Sequence, residues 1–565
     1  MRENSSLKKR NALSNKRAKT VFLIFLGSFS LILFRALWLQ TVSLTGKKQA
    51  YLKRRSYHKK SKDISYRGTI FDHKKRPLAI SIKAVSLSVN PHVFRPTKKE
   101  TRKIAKILGV SQKKIKKLEK KKSFFAWLKR KASQEEARLI KQLKIKGINY
   151  RTEPARFYPG KSHAAQLIGL VGTDHTGLFG LEKILDEQLA GTIKRSMKLK
   201  DARGLAILTN SSAAEPQQTG NHIILTLDKV IQGITEEALK KSYLKSGAKA
   251  AFAIVADPHT GRIFAMANQP EFDPNQTSII SNTKNLSIRS LIEPGSVTKP
   301  LVIAHALETG AVGPSQLHNC ENGAYRVDDR STIHDEHPEE YLTTAESLIY
   351  SSNICTFKIA KKIGKKATYK ALKRFGVASP TRSILLSHSK TGSIAPWETW
   401  REIRFANISF GQGFLTTGLE MIKAYSILAN GGFSVEPHIL ERVETPDKNI
   451  LVPQKIFSEK RILSRETSLF IKEALYRAVE EGTGKRAQLK HYSAAGKTGT
   501  SEKYSPKEKK YPKEKRIASF AGFAPAMDPH LVAYIVIDEP QKKPYYGSTW
   551  AAPVFKDIME QALKY

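Results

Sequence analysis

Three short motifs in this chain carry side chains that could acylate a serine without a histidine base. Ser296 and Lys299 lie three positions apart, a spacing that places both side chains on one face of a helix. A serine hydroxyl needs a neighbouring base to become nucleophilic, and a lysine in a dry, cation-rich site loses its proton readily. Ser351 and Asn353 form the second motif, and Lys497 begins the third. We interpret Ser296 as the nucleophile and Lys299 as its base.

The second motif stands within the run Tyr-Ser-Ser-Asn-Ile. Residues two positions apart do not share a helix face, so Ser351 and Asn353 are predicted to project from a loop or helix start into a cleft. Ser351 could return a proton to a leaving amine, and Asn353 could bond a substrate backbone. In isolation, a serine at either position 351 or 352 is more typical of a helix N-cap.

The third motif consists of Lys497, Thr498, Gly499 and Thr500. Its small residues predict a strand against which an extended substrate can lie. Lys497 would attract a substrate carboxylate, and the two threonine hydroxyls would donate to it. The backbone N–H groups of Ser296 and Thr500 are candidates for an oxyanion hole. Each motif alone could be incidental, but their order and combination favour a single active site.

The surrounding pattern predicts the elements that would position these residues. Strand-like segments occur before and after the motifs, and helical patterns lie between them, which predicts an α+β fold with an antiparallel sheet flanked by helices. The segment 100–143 is expected to be helical and basic, and the small polar segment 212–220 is expected to be a domain junction. The predicted strands are 250–255, 262–267, 497–501, 519–523 and 531–537, and the predicted helices include 297–309 and 553–563.

The N-terminal region predicts a membrane anchor. Residues 20–42 are strongly apolar, and Arg35 lies close enough to their end to reach the bilayer interface. Residues 1–19 are rich in Lys and Arg, which predicts a cytoplasmic N-terminus and an exported remainder. A cleaved signal peptide is the alternative, but the apolar run is long for one and lacks a clear cleavage site.

Composition limits the remaining interpretations. The chain has 565 residues, is 40% hydrophobic and carries a formal charge of +47, which fits two folded domains and anionic partners. The basic residues are spread along the chain and no nucleic-acid-binding motif is present, so we expect lipid headgroups or cell-wall polymers rather than nucleic acid. No spacing predicts a metal site or a cofactor. Cys320 and Cys355 could pair, but we expect two unpaired buried cysteines.

From about residue 20 onward the chain resembles a class B penicillin-binding protein, most closely the division-specific (septal) peptidoglycan D,D-transpeptidase. The three motifs have the order SxxK, SxN and KTG that is typical of penicillin-binding proteins and class A β-lactamases. The first pedestal motif departs from the family pattern at His73, which is followed by three basic residues. Other segments that carry the resemblance are Arg67–Asp72, Arg156–Pro159, Gly180–Lys183, Leu225–Asp228, Asp257–Ile263, Phe410–Gly413, Ser519–Pro525 and Tyr545–Gly547.

The resemblance implies a penicilloyl-serine transferase fold in residues 221–565, preceded by a non-catalytic pedestal or dimerisation module in residues 43–220. It implies that Ser296 attacks the D-Ala-D-Ala bond of a stem peptide and that an amine from a second stem peptide resolves the acyl-enzyme. It also implies covalent inhibition by β-lactams and the absence of a cofactor. The implied partners are lipid-linked precursor, a polytopic glycosyltransferase of the shape, elongation and division type, and divisome proteins at the plasma (inner) membrane.

Four other functions are compatible with an acylated serine. An elongation-type transpeptidase or a D,D-carboxypeptidase would use the same acyl-enzyme. A β-lactamase would need a water-activating Glu-x-x-x-Asn segment, which is not evident after the second motif. A penicillin sensor would need a cytoplasmic signalling domain, whereas only about 19 residues precede the apolar run.

Overall fold

The computed structural model describes residues 3–44, 58–63, 65–191, 194–199, 219–276, 281–383, 386, 388–453, 460–505, 508, 510–512 and 514–565. The described chain divides into two compact units, one within residues 1–64 and 193–217, the other within residues 65–192 and 218–565. The predicted junction at 212–220 lies almost entirely outside the described residues.

The part of the chain before residue 226 combines one long helix and several short helices with several strands. Its helices are α1 Glu3–Leu44, α2 Lys98–Leu108, α3 Gln112–Glu119, α4 Gln134–Gln142, α5 Ala165–Ile168, α6 Gly180–Ile184 and α7 Asp186–Ala190. Its strands are β1 His58–Asp63, β2 Ile70–Phe71, β3 Pro77–Val89, β4 Ala126–Ala132, β5 Ile148–Phe157, β6 Leu170–Val171, β7 Gly177–Phe179, β8 Lys194–Leu199 and β9 His222–Leu225.

The remainder has strands at both ends and mainly helices between them. Its helices are α8 Lys229–Ser246, α9 Leu286–Arg289, α10 Lys299–Glu308, α11 Thr344–Ile349, α12 Asn353–Ile363, α13 Lys365–Arg374, α14 Glu402–Ser409, α15 Gly418–Ala429, α16 Arg465–Glu480, α17 Gly547–Trp550 and α18 Ala552–Ala562. Its strands are β10 Ala250–Ala256, β11 Ile263–Gln269, β12 Leu317–Asn319, β13 Ala324–Asp328, β14 Ser331–His334, β15 Tyr341–Thr343, β16 Leu440–Glu444, β17 Ile450–Pro453, β18 Ala495–Glu502, β19 Arg516–Ala524 and β20 Leu531–Asp538.

The first unit contains the apolar helix. Within α1, Lys16–Trp38 forms a 23-residue stretch with a mean hydropathy of 2.1, and about 20 such residues suffice to cross a bilayer. The Arg35 guanidinium lies 4.8 Å from the centre of the Trp38 ring, a pairing suited to a membrane interface. Among the described residues this is the one helix long and apolar enough to span a membrane. In the same unit, β1 pairs antiparallel with β8.

A five-stranded antiparallel sheet forms the centre of the second unit, in the order β11-β10-β20-β19-β18. Successive side chains of a strand point to opposite faces, and β10 follows this rule. Phe252 and Ile254 join a core that includes Met421 of α15, whereas Ala253 and Val255 join one that includes Phe555 of α18. The predicted fold, an antiparallel sheet flanked by helices, is therefore confirmed.

A seven-stranded sheet crosses the predicted module boundary near residue 220. Its main path is β17-β16-β9-β2-β3-β4, and β5 pairs with β3. In β9, Ile223 pairs with Ile70 of β2 on one side and with Val443 of β16 on the other. The predicted boundary thus falls at a place where backbone hydrogen bonds continue between the two regions.

The prediction of helix throughout 100–143 is only partly correct. Helices α2, α3 and α4 occupy most of the segment, but Ala126–Ala132 forms strand β4 and pairs with β3. Ala126, Leu128 and Ala132 are buried in this strand. The basic residues between them obscured the even spacing that a half-buried strand requires.

Buried ion pairs join three of the pedestal segments that carry the family resemblance. Arg67 contacts Glu182 at 2.9 Å and Asp186 at 2.7 Å, and Arg156 contacts Glu182 at 2.6 Å. Arg67, Arg156 and Glu182 are almost completely buried, where a charge without a partner would be very costly. These segments therefore specify each other's positions.

The segment that departs from the family pattern at His73 contacts Asp228, at the start of α8. His73 Nε2 lies 2.7 Å and a guanidinium nitrogen of Arg76 lies 2.8 Å from the Asp228 carboxylate. Burial would raise the pKa of Asp228, but the hydrogen bonds from His73 and Arg76 outweigh burial and lower the pKa to about 2. This basic segment thus attaches the pedestal to the first helix of the next region.

Candidate active site

Ser296 lies on a one-turn 3₁₀ helix, Gly295–Thr298, which leads directly into α10. The sequence predicted an α-helix from residue 297, and the tighter first turn is the difference. In a 3₁₀ helix, residues three apart are nearly eclipsed, so the spacing of Ser296 and Lys299 still aligns them. Pro300 lies in the first turn of α10, where its missing N–H costs little.

Hydrogen bonds from three separate segments fix this turn. The N–H of Gly295 donates to the Gly411 carbonyl at 2.9 Å, and the buried Tyr425 hydroxyl donates to the Val297 carbonyl at 2.9 Å. Ser501 Oγ, in the residue after the third motif, donates to the Glu293 carbonyl at 2.7 Å. The turn is therefore held against β18, α15 and the loop that contains Gly411.

Lys299 is completely buried and directs its ammonium group to the second motif. Lys299 Nζ donates to the Ser351 carbonyl at 2.5 Å and to Ser351 Oγ at 3.1 Å. Burial lowers the pKa of Lys299, while the negative charges of Asp335 and Glu336 raise it, and the result is a pKa of about 8. A substantial fraction of Lys299 is therefore neutral near physiological pH.

Ser351 adopts a left-handed backbone conformation, with φ at 62°. A residue with a Cβ adopts this conformation only at a cost of about 1–2 kcal/mol. The conformation lies between α11 and α12 and turns the Ser351 carbonyl and hydroxyl toward Lys299. Such strain persists where the surrounding structure enforces it, commonly at functional sites.

The carboxylate of Asp335 holds the start of α12 in place. It accepts hydrogen bonds from Ser352 Oγ at 2.5 Å, from the N–H of Asn353 and from the N–H of Ile354 at 3.1 Å. Ser352 is itself the N-cap and accepts from Cys355 N. A carboxylate at this end of a helix satisfies N–H groups that lack intrahelical partners and complements the helix dipole.

Asn353 begins α12, as expected for a residue that reaches a cleft from a helix start. Its side-chain nitrogen donates to the His334 carbonyl at 2.7 Å. The amide therefore joins α12 to the end of β14, and Asn353 is one of the residues that line the cleft. The expected bond to a substrate backbone stays a prediction.

The expectation of unpaired cysteines is wrong, because Cys320 and Cys355 form a disulfide. Cys355 lies in the first turn of α12, and Cys320 follows β12. Folding brings their Cα atoms to 5.1 Å, within the range that a disulfide can bridge. The 35-residue separation in sequence contains no information about that distance.

Lys497 is also completely buried, on β18. Its Nζ donates to Thr483 Oγ1 at 3.2 Å and to Thr498 Oγ1 at 3.4 Å, and the two threonine hydroxyls lie 3.0 Å apart. Burial lowers the pKa of Lys497 well below its usual value, and the positive charge of Lys299 lowers it further. Lys497 therefore reaches the cleft through threonine hydroxyls rather than by direct exposure.

Gly499 has a packing role that the sequence did not reveal. A Cβ at this position would lie 2.3 Å from Ser519 Oγ and 2.9 Å from the Pro294 carbonyl oxygen. The absence of a side chain therefore allows β18 to approach the turn that carries Ser296. The expectation that it also admits substrate stays a prediction.

The motifs meet at a cleft of about 660 Å³. Ser296, Ser351, Asn353, Thr498 and Thr500 line it, whereas Lys299 and Lys497 lie buried behind its wall. Further lining residues come from segments outside the three motifs, namely His334, Glu336, His337, Tyr350, Phe410, Gln412, Thr483, Glu502, Arg516, Tyr546 and Ser548.

Comparison with known proteins places this geometry in a family. The profile of the penicillin binding protein transpeptidase domain matches residues 251–560, and that of the penicillin-binding protein dimerisation domain matches residues 62–225. This chain belongs to the penicillin-binding protein transpeptidases.

Relatives that align over most of this chain and most of their own length support the assignment to class B. Stage V sporulation protein D of Bacillus subtilis is 32% identical over 98% of this chain and 86% of its own length. Peptidoglycan D,D-transpeptidase FtsI of Escherichia coli is 30% identical over 88% of this chain and 83% of its own. The crystal structure of penicillin binding protein 3 from Mycobacterium tuberculosis, complexed with aztreonam, matches with a TM-score of 0.69 and 26% identity over 89% of this chain and 97% of that chain. The predicted family, fold class and enzyme class are confirmed.

Several residues in or next to the cleft of this penicillin-binding protein were missed from sequence. Thr483 follows α16 in a Glu-Gly-Thr-Gly turn, and Asp335 and Glu336 follow β14. The only sequence signal for these residues is that short polar side chains are frequent around them. Their proximity to Lys299 and Lys497 arises from tertiary packing, which the sequence does not show.

Proposed function

We propose that this class B penicillin-binding protein cross-links peptidoglycan stem peptides through an acyl-enzyme on Ser296 during septal wall synthesis. The observation that carries the assignment of residues is the contact of buried Lys299 with Ser351 at the cleft that Ser296 lines. Family membership supports the reaction, and the names of the relatives support a role in division or sporulation.

In the first step, neutral Lys299 accepts the proton of Ser296 as its Oγ attacks the carbonyl carbon of the D-Ala-D-Ala bond. The developing oxyanion is stabilised by the N–H groups of Ser296 and Thr500. Lys299, now protonated, passes a proton through the Ser351 hydroxyl to the amine of the departing D-alanine. The hydrogen bond between Lys299 and Ser351 Oγ, at 3.1 Å, supports this route.

Substrate orientation is assigned to the third motif. Thr498 and Thr500 donate to the terminal carboxylate, and Lys497 polarises the Thr498 hydroxyl from behind. Gly499 leaves the outer edge of β18 available to the peptide backbone, and Asn353 bonds the same backbone from the opposite wall. The amine of a second stem peptide then attacks the ester, regenerates Ser296 and leaves the two peptides cross-linked.

The cellular setting is likewise proposed. The basic tail of residues 1–19 supports a cytoplasmic N-terminus, a span near residues 20–42 and an exported remainder with its pedestal in 43–220 and its transpeptidase domain in 221–565. The proposed partners are a polytopic peptidoglycan glycosyltransferase and divisome proteins. Lipid-linked precursor is the proposed source of the glycan strands that are cross-linked. Localising a fluorescent fusion tests this assignment, because accumulation along the side wall instead of the septum would contradict it.

Labelled penicillin tests the nucleophile. The full chain in detergent should become covalently labelled, and Ser296→Ala should lose labelling by a factor of about 10³ or more, because no acyl-enzyme can form. Thermal unfolding of both proteins verifies that the variant is folded. Labelling of a folded Ser296→Ala variant at the wild-type rate would contradict the assignment.

Product analysis then tests the reaction. With a D-Ala-D-Ala peptide and a large excess of an amine acceptor, most of the product should be the new amide. Release of the hydrolysed peptide alone would instead identify a carboxypeptidase, and sustained turnover of nitrocefin would identify a β-lactamase.

A further inference from the structure

A second cavity, of about 530 Å³, lies at one end of the five-stranded sheet. Its walls come from the start of β10, the end of β20, the residue after β18 and the segment around α9. Five of its lining residues are basic, namely Lys249, Lys284, Arg289, Lys390 and Lys503. We call this feature the basic cavity.

Acidic groups compensate only part of the positive charge of the basic cavity. Asp538, the one acidic residue of the lining, accepts from Lys503 at 2.7 Å, and Lys249 pairs with Glu539 at 3.3 Å. In the part of the chain that the structure describes, Lys284, Lys390 and Arg289 form no ion pair, and Arg289 donates only to the His388 carbonyl, at 2.9 Å. A concave surface with three uncompensated cations attracts a ligand that carries several negative charges.

The basic cavity lies beside the active-site cleft. Glu502 lines the cleft, and the next residue, Lys503, lines the basic cavity. Ile292, which also lines it, precedes the nucleophile by four residues and pairs with Thr416. A ligand bound here would therefore touch both the end of β18 and the segment that leads to Ser296.

The rim of the basic cavity is also attached to the pedestal. The buried side chain of Gln166 donates to the carbonyls of Pro270, at 3.0 Å, and Asn282, at 3.2 Å. Both of these residues line the basic cavity. Its shape thus depends on two modules and is not a property of one flexible loop.

We infer that the basic cavity binds the carboxylates of a second stem peptide on the same glycan strand as the peptide in the cleft. This inference rests on the proposed function, since it assumes that the enzyme acts on peptidoglycan strands. Stem peptides repeat along a strand and carry carboxylates, so a peptide in the cleft tethers its neighbours close by. Each strand also carries many such peptides, which raises the effective concentration of carboxylates at the basic cavity even when the cleft is blocked, so weak charge-assisted contacts suffice to hold the strand between successive cross-links.

Strand binding to the penicillin-acylated full chain in detergent tests this inference, because acylation blocks the cleft. The probe is a soluble, uncross-linked glycan strand with intact stem peptides, and the matched probe is the same strand after amidation of its carboxylates. The variant Lys284→Glu/Lys390→Glu should bind the first probe at least tenfold more weakly than wild type. Lys113→Glu/Lys117→Glu, which changes the net charge equally on the exposed side of α3, should bind within about twofold of wild type. The amidated strand should bind wild type at least tenfold more weakly than the intact strand.

Three results would overturn the inference. Equal weakening by both double variants would show that net charge alone matters, and equal binding of the amidated strand would show that carboxylates are not recognised. Binding of inorganic pyrophosphate to the basic cavity without any binding of strands would identify a phosphate site instead. Penicillin labelling is measured in parallel and reports the cleft separately, so a wild type that fails to label contradicts the proposed function and not the basic cavity.

Discussion

Lys299, the proposed base, shows how burial and charge together set the protonation of a buried lysine. Burial favours the neutral amine, whereas the carboxylates of Asp335 and Glu336 favour the ammonium. The resulting pKa of about 8 leaves roughly a tenth of Lys299 neutral at pH 7. If Lys299 is the base, the rate of acylation should rise with pH and level off above pH 8.

Removing the charge of Glu336 should move this pH profile to lower pH. In Glu336→Gln the neutral form of Lys299 is no longer opposed by the nearby negative charge, so acylation at pH 7 should become faster, at most by about tenfold. The measurement is the rate of penicillin acylation between pH 6 and 10. Glu398→Gln, at an exposed position outside the cleft lining, is the matched control, and an identical midpoint in both variants would contradict the role of Lys299.

The left-handed backbone of Ser351 leads to a second prediction, which compares two substitutions of this residue. Ser351→Ala and Ser351→Gly both remove the hydroxyl, so both should slow acylation by about 10²-fold or more. Only glycine relieves the left-handed conformation, so Ser351→Gly should be more stable than Ser351→Ala by about 1 kcal/mol in denaturant unfolding. Equal stability of the two variants would show that the native φ of 62° stores no strain.

At the scale of elements, the start of α12 connects structure with chemistry. Ser351 precedes this helix, Asp335 caps it, and the disulfide from Cys355 attaches its first turn to the residue after β12. The last two contacts come from the segments that follow β14 and β12. They hold the position from which Ser351 reaches Lys299.

Asp335→Ala should therefore affect both stability and activity. Loss of the cap should cost about 1–2 kcal/mol of unfolding free energy. It should also slow acylation above about pH 9, where Lys299 is largely neutral with or without the Asp335 charge, because Ser351 is no longer held in place. Ser133 caps α4 in the pedestal with a complete capping box, so Ser133→Ala should cost about 1 kcal/mol and leave acylation unchanged. If both variants slow acylation equally, the effect is one of general stability and not of position.

The elements that the sequence predicted correctly are those whose signal lies within a short stretch of residues. The strands that carry hydrophobic runs and the helix after Ser296 were predicted within a few residues, because their patterns are local. Strand β4 was missed because its basic residues resemble those of the neighbouring helices. Thr483, Asp335 and the disulfide were missed because each depends on a tertiary contact between distant segments.

At the scale of the whole molecule, the two regions of the second unit share a continuous backbone ladder through β2 and β9. A hydrogen bond between His73 and Asp228 and an ion pair between Arg76 and Asp228 lie next to that ladder. The pedestal is therefore part of the packing of the transpeptidase region and more than a spacer.

A chain trimmed to residues 221–565 should consequently be less stable than one of residues 65–565. Trimming unpairs one side of β9 and exposes Ile223 and Leu225, which are fully buried in the intact protein. We expect the melting temperature to fall by roughly 5 °C, because the trimmed chain loses several kcal/mol of stability and each kcal/mol corresponds to about 2–4 °C in domains of 150–250 residues and to less in longer chains. Calorimetry of the two chains measures the difference, and equal melting temperatures would show that the ladder contributes nothing.

Within the described residues, β18 is the outermost strand of the five-stranded sheet and borders the cleft. A peptide aligned along such a margin is recognised by its amides, which every peptide has in common. Discrimination then falls on the C-terminal end of the ligand, where the carboxylate and the bond to be cleaved lie one residue apart. Tolerance of varied amino acids in the middle of the ligand, and vulnerability to any small acylating molecule that imitates its terminus, are two results of the same architecture.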